Sequence, residues 1–371
     1  MATYKSIRYI VPTEAVEHTD SINALSDVDT DTTAPTDGQI LKWNNTTSKW
    51  YPGDVEESAS GTQKAIFGFG HTEFGMTNVT NLVSSSGVVA SDSTGVGTVR
   101  YSLAAAGFGG DKAIFGFGFD SIGYRVSATN LVSNAGVVAT DTTGVGTPNR
   151  GLTAAGYGGD KAIFGFGNYG LGSLQPPTNN TNLVSNTGVV SSDVTGVGTA
   201  REYLAAAGYG EDKAIFGFGF GVSTSVARTN ITNLVSNTGV VASDTTGVGS
   251  AKRTLAATGY GGDKAIFGFS DSNSPPYASN ITNLVSNTGV VASDTTSVGT
   301  ARYSLAAAGY GGDKAIFGFG VLYDSSISEY GGNVAQNVTN LVSNTGVVAS
   351  DSTGVGSARQ RLAAAGYSTT A

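Results

Sequence analysis

The string Lys-Ala-Ile-Phe-Gly-Phe occurs six times in 371 residues, beginning at Lys64, Lys112, Lys161, Lys213, Lys264 and Lys314. Successive copies lie 48, 49, 52, 51 and 50 residues apart, so whatever unit one copy forms is built six times over. Each copy runs AIFGFG, a stretch that differs from copy to copy, TNLVSNTGVVASD or a near variant, TTGVGTAR, and YSLAAAGYGGD before the next Lys. A period near 50 residues is that of a β-propeller blade.

The pieces parse as four short strands separated by turn signals, Ser-Asn-Thr-Gly and Gly-Gly-Asp-Lys among them. The chain's 54 glycines and 13% charged residues suit turn-rich β structure. Small residues fit where neighbouring blades crowd, so the Ala-Ala-Ala-Gly strand is expected innermost and the Val-Val strand outermost. These features predict an all-β chain: a six-bladed β-propeller of four-stranded blades over residues 63–371. The first copy has no alanine strand before it, whereas the sequence carries an extra Leu362-Ala363-Ala364-Ala365-Gly366-Tyr367 after the last. Residues 361–367 are therefore predicted to complete the first blade beside residues 65–70 and to leave no open sheet edge.

Length varies in one place only. From Asn81, Asn130, Asn182, Asn233 and Asn283 to the next repeat Lys the distance is always 31 residues, while residues 71–80, 119–129, 168–181, 220–232, 271–282 and 321–339 differ in length and sequence. These stretches join second to third strands, so all six emerge on one face. They offer Tyr124, Tyr169, Tyr277, Tyr323 and Tyr330, with Phe119 and Phe220 at two loop starts and the pairs Pro176-Pro177 and Pro275-Pro276. Rigid amphipathic aromatics among Ser, Asn and Gly make a composition favoured in binding loops, and these seven aromatic residues are the candidate receptor contacts.

Each copy also has an Asp in its fourth strand (Asp92, Asp141, Asp193, Asp244, Asp294, Asp351) and a basic residue eight or nine positions on (Arg100, Arg150, Arg201, Arg253, Arg302, Arg359). Sixfold sameness suits scaffolding, so these arginines are expected to bond carboxylates or carbonyls between neighbouring blades. Glu202 and Glu211 occur in single copies but lie in the fixed scaffold, where they read as solvated. No cysteine is present, which removes thiolate metal sites and cysteine nucleophiles. Asp27, Asp29 and Asp31 open like a calcium loop, but Thr32 and Gly38 stand where that loop needs glycine and a carboxylate, and neither a metal nor another cofactor is expected. A net charge of −8 argues against a nucleic-acid partner, and no run approaches the roughly 20 apolar residues of a membrane span.

The repeat resembles the kelch repeat: AIFGFG stands for the strand ending in glycines, TNLVSNTGVV for the third and fourth strands, and the TAR or SAR step for the arginine before the next small-residue strand. The resemblance covers residues 64–371 and implies a propeller with a binding face. It departs from the family in having Gly-Phe-Gly for the glycine doublet and no Trp in the fourth strand. Residues 1–62 differ from the rest, and SINALSDVDTDTTAPTDGQILKWNNTTSKWYPGD resembles short modules of tail-fibre and other virion structural proteins. A hairpin is expected there, residues 39–43 against 49–52, carrying Trp43 and Trp50. The resemblances imply a bacteriophage virion protein without enzymatic activity. Residues 1–62 would form an arm attaching to other virion proteins through Tyr4, Ile7, Tyr9, Ile10, Trp43 and Trp50, with a homo-oligomer as a further possibility. The propeller would bind a host-surface glycan or protein. The alternatives are a purely structural capsid decoration or tail connector, and a glycan-degrading enzyme for which Asp324 and Glu329 are the candidate pair.

Overall fold

The computed structural model describes residues 28–29, 40–44, 46–53, 62–169, 176–222, 226–275, 277–323 and 332–370. Among them all regular structure is β. The chain divides into two compact units, residues 1–58 and 59–371.

In the first unit Ile40–Asn44 pairs antiparallel with Lys49–Gly53, placing Trp43 opposite Trp50. The rings meet edge to face, centroids 5.4 Å apart, a cross-strand contact that adds to the marginal stability of a two-stranded hairpin. Both indoles stay more than a third exposed. Tyr4, Ile7, Tyr9 and Ile10, the other expected attachment residues, lie outside the described residues.

Beside four smaller sheets, the described residues of the second unit form six like sheets. In each, an alanine strand pairs with the Lys-Ala-Ile-Phe-Gly strand, which pairs on its other side with Thr-Asn-Leu-Val; Ala205–Tyr209, Lys213–Gly217 and Thr232–Val235 are one set. The first sheet takes its alanine strand from the other end of the sequence, Ala363–Tyr367 beside Lys64–Gly68, where the phase of the repeat places it. Thr62 and Gln63, on either side of the expected boundary, are both tied to this unit: their carbonyls accept from Gly312 and Gly311.

Among the described residues the expected fourth strand is a regular strand in one sheet, Thr295–Thr296 beside Ala278–Val285. Elsewhere the Val-Val segment is held by isolated bridges such as Val83↔Val89 and Thr80↔Ser93. Those two bridges are out of register by one residue, so an extra residue interrupts the ladder. The buried Asn81 bridges the gap by donating to the Ala90 carbonyl and to Asp92 Oδ1.

Neighbouring sheets are joined by the two phenylalanines of each repeat. The second Phe of one repeat meets the first Phe of the next at 5.1–5.2 Å between centroids, and Phe319 meets Phe67 to return to the start. Glycine between them is required by this approach: a Cβ on Gly217 would stand 2.7 Å from Phe267 Cζ. All six second phenylalanines have φ between 56° and 64° and are fully buried. Such a backbone is unfavourable for a bulky residue, and it persists because the ring it turns inward fills the space between two sheets.

Two closed circuits of backbone hydrogen bonds run through the six repeats. At one end the N–H of Ser102 donates to Arg361, Arg361 to Ser304, Ser304 to Thr254, Thr254 to Tyr203, Tyr203 to Gly151, and Gly151 to Ser102. At the other, Gly109, Gly158, Gly210 and Gly261 each donate to the Asp carbonyl of the following Gly-Gly-Asp turn, or its Gly-Glu-Asp variant. Gly311 donates to Gln63 and Ser368 to Asp111, completing that circuit across the chain ends.

Candidate ligand-binding face

The antiparallel pairing fixes which segments share a face. Ala104 lies opposite Gly116 and Phe108 opposite Lys112, so the variable stretches leave the sheets at one end and the Gly-Gly-Asp turns at the other. The links that enter each alanine strand return to the loop end, where Arg100–Tyr101 pairs with Phe119–Asp120 and Arg201–Glu202 with Phe220–Gly221.

Beneath this face lies a repeated ionic joint. Arg100, Arg201, Arg302 and Arg359 are 0% exposed. Each guanidinium covers the second phenylalanine of its own repeat at 4.3–4.8 Å and bonds the Asn of the following one; Arg201 donates to Asn233 Oδ1 (2.6 Å) and to the Phe218 carbonyl (2.8 Å). Burial depresses these arginines, to about 10 for Arg201, which leaves them charged at neutral pH. The repeat Asp clamps the link from outside: Asp244 accepts from the Thr199 N–H and hydroxyl and from Asn233. Burial pushes this carboxyl up, but the bonds from Thr199 and Asn233 and the charge of Arg201 outweigh it and hold it below the usual range.

Arg150 and Arg253 do not occupy this position. Their links read Thr-Pro-Asn-Arg and Ser-Ala-Lys-Arg, so the residue in register with Arg201 is Asn149 in one and Lys252 in the other. Lys252 bonds Asn283 and Asp294, and Asn149 donates to the Phe166 carbonyl. The basic residue one step later escapes the joint and reaches the loop face, covering Phe119 from Arg150 (5.1 Å) and Phe220 from Arg253 (4.6 Å). Phe119 is thus half-buried beneath a guanidinium, and Phe220 likewise, rather than freely displayed.

Of the expected contact tyrosines, Tyr124 is 55% exposed, and Tyr169 and Tyr277 nearly 40%. Tyr277 meets Tyr323 edge to face at 4.7 Å, so two loops join in one aromatic patch. Tyr330, Asp324 and Glu329 lie outside the described residues.

The centre of the face holds residues that the fixed spacing had marked as scaffold. The position after the buried joint reads Tyr101, Arg150, Glu202, Arg253, Tyr303 and Gln360 around the circuit, four residue types over six sites. Glu202 is not solvated as expected: one carboxyl oxygen is buried without a hydrogen bond, and burial raises its pKa against the pull of Arg150, Arg125 and Arg253. Tyr203, raised by burial, stands in the field of Glu202, Arg150 and Arg361. Arg361 covers Tyr101 at 5.4 Å, and Tyr101 also touches His71 and Phe119. The opening narrows onto a cavity of about 120 Å³ lined by Ser102, Gly151, Tyr203, Thr254, Ser304 and Arg361 with the leucines and alanines below them. That is well under the roughly 300–1,000 Å³ of an enclosing ligand pocket. The signal in the sequence was heterogeneity at the two positions before the invariant Leu of each link. No protein-family model matches the chain, and no curated protein is similar to it.

Proposed function

We propose that residues 62–370 form a six-bladed β-propeller that works as a binding module, and that its loop face is the surface that takes the ligand. The two closed hydrogen-bond circuits and the return of Ala363–Tyr367 to Lys64–Gly68 support the propeller. The observation that carries the function is where the repeats differ. The Gly-Gly-Asp face repeats nearly the same turn five times, whereas on the opposite face the loops differ in every repeat and the position after the joint changes among Tyr, Arg, Glu and Gln. A scaffold held alike at one end and diversified at the other is what a recognition surface requires. With the resemblance of residues 21–54 to virion modules, the fuller reading is a non-enzymatic phage surface protein. Its N-terminal arm would attach to the particle, and its loop face would meet a host-surface glycan or receptor.

Changing Tyr124, Tyr169, Tyr277, Tyr323 and Tyr330 together to Ala in the full chain tests this reading. On an array of bacterial surface polysaccharides and immobilised cell envelopes the variant is expected to lose at least about ten-fold in affinity with an unchanged melting temperature, since aromatic contacts dominate such interfaces. Unchanged binding by the variant removes the loop tyrosines from the recognition surface. Failure of the unaltered chain to bind either array favours a structural role on the particle instead.

A further inference from the structure

On the loop face, side chains bridge several of the junctions between neighbouring repeats. Tyr101 touches both His71 and Phe119, Arg125 donates to Asn168, Arg228 to Asp271, and Tyr277 meets Tyr323. Where the sixth repeat meets the first, the backbones of His71 and Gln360 exchange two hydrogen bonds, but the loops above them part. Between them lies a cleft of about 730 Å³, lined by residues 71–77 of the first loop, by the strand Asn333–Ala335 of the sixth, and by Ser357, Ala358 and Gln360. Unlike the central mouth, it falls within the roughly 300–1,000 Å³ of ligand pockets.

The lining leaves particular groups free. Thr72 Oγ1 accepts from the Phe74 N–H and donates to the Gly75 carbonyl, so a tight turn holds Phe74 out at 92% exposure, the highest among the large apolar side chains described. Ser357 is committed to Asp92, and Asn333 Oδ1 accepts from the Tyr303 hydroxyl. Among the described residues this leaves the Asn333 amino group, the Gln360 amide and the Glu73 carboxylate without a protein partner. No lysine or arginine is among the lining residues, where His71 is the one basic side chain.

We infer that this cleft is the ligand subsite of the loop face and that it takes a neutral saccharide. The Phe74 ring and the Met76 side chain offer apolar surface to the C–H face of a sugar ring. The Gln360 amide can both donate to and accept from neighbouring hydroxyls, the Asn333 amino group donates, and the Glu73 carboxylate accepts from a hydroxyl in a charge-assisted bond. An acidic saccharide would bring like charge against Glu73 with no guanidinium or ammonium in the lining to offset it, on a chain whose net charge is −8. The inference deepens the loop-face reading above and rests on it, yet none of the five tyrosines that test that reading is a lining residue of the cleft.

Phe74→Ala and Glu73→Gln, both at exposed positions, are made in the full chain. Binding is measured calorimetrically with dextran, mannan and galactomannan as neutral probes beside polygalacturonate and dextran sulfate. At least one neutral polymer is expected to bind, about ten-fold more weakly to Phe74→Ala and several-fold more weakly to Glu73→Gln, with unchanged melting temperatures. An acidic polymer held more tightly than every neutral one, or neutral binding that both variants keep in full, overturns the assignment. Envelope binding that Phe74→Ala loses and that protease treatment of the envelopes also removes overturns it in favour of a protein partner. If no neutral polymer is bound while envelopes are held in a tyrosine-dependent way, the cleft assignment fails and the loop-face reading survives. If nothing is bound, both fail.

Discussion

Removing residues 361–371 is expected to abolish the cooperative fold of the repeat unit rather than to trim its edge. Ala363–Tyr367 is the alanine strand of the first sheet, and without it Lys64–Gly68 loses a full antiparallel partner. The damage spreads to two cores: Leu362 packs with Phe67 and Phe319, while Ala363, Ala365 and Tyr367 pack with Phe69 and Phe115. Both hydrogen-bond circuits break as well, at Arg361 and at Ser368. Burial of Leu362 and Tyr367 alone is worth about 3–6 kcal/mol, a large share of the roughly 5–15 kcal/mol that holds a domain together. A shortened chain should therefore show no sharp thermal transition and should aggregate through its open edge. A permuted chain separates this from mere truncation. Placing residues 358–367 and a Gly-Gly-Asp turn directly before Lys64 rebuilds the first sheet in the connectivity of the other five, and it is expected to melt cooperatively. A truncated chain that melts like the parent would show that closure contributes little.

Arg201→Ala should be the most damaging change at a single joint. It leaves Asn233 Oδ1 and the carbonyls of Phe218 and Thr199 without their donors, and it opens a void against Phe166. Losing one member of such a buried network costs about 3–5 kcal/mol. Arg201→Lys should cost less than about half of that, because the link into the fifth repeat already uses Lys252, whose ammonium reaches both Asn283 and Asp294. Urea midpoints of the two variants check the difference. Equal losses would mean that the guanidinium fork itself, rather than a cation that lysine also supplies, stabilises the joint.

The sequence made the scaffold legible because each sheet had to be encoded six times. Lys-Ala-Ile-Phe-Gly-Phe located the middle strands, and the unmatched alanine segment at the end located the closing strand. The fourth strand was overread. Val-Val in an alternating segment has strand character, but nothing in the composition shows that Asn81 and its equivalents replace part of the ladder with a side chain. The basic residues were misaligned for a related reason. Spacing from Asp to the nearest arginine puts Arg150 and Arg253 with Arg201, whereas register from the alanine strand puts Asn149 and Lys252 there. Glu202 looked solvated because a carboxylate one residue from an arginine usually is. Its surroundings, Arg125 and Arg150 among them, come from other repeats and meet it only when the sheets are placed side by side.

The most direct test of the account is amide hydrogen exchange of the full chain, with and without the polysaccharide it binds best on the array. If the loop face is the recognition surface, exchange slows at residues 71–77, 119–126 and 220–222 and in the circuit through Ser102, Tyr203 and Arg361. The Gly-Gly-Asp turns at Gly109, Gly158 and Gly261 stay unchanged. Protection centred on those turns, with the loops unaffected, would contradict it.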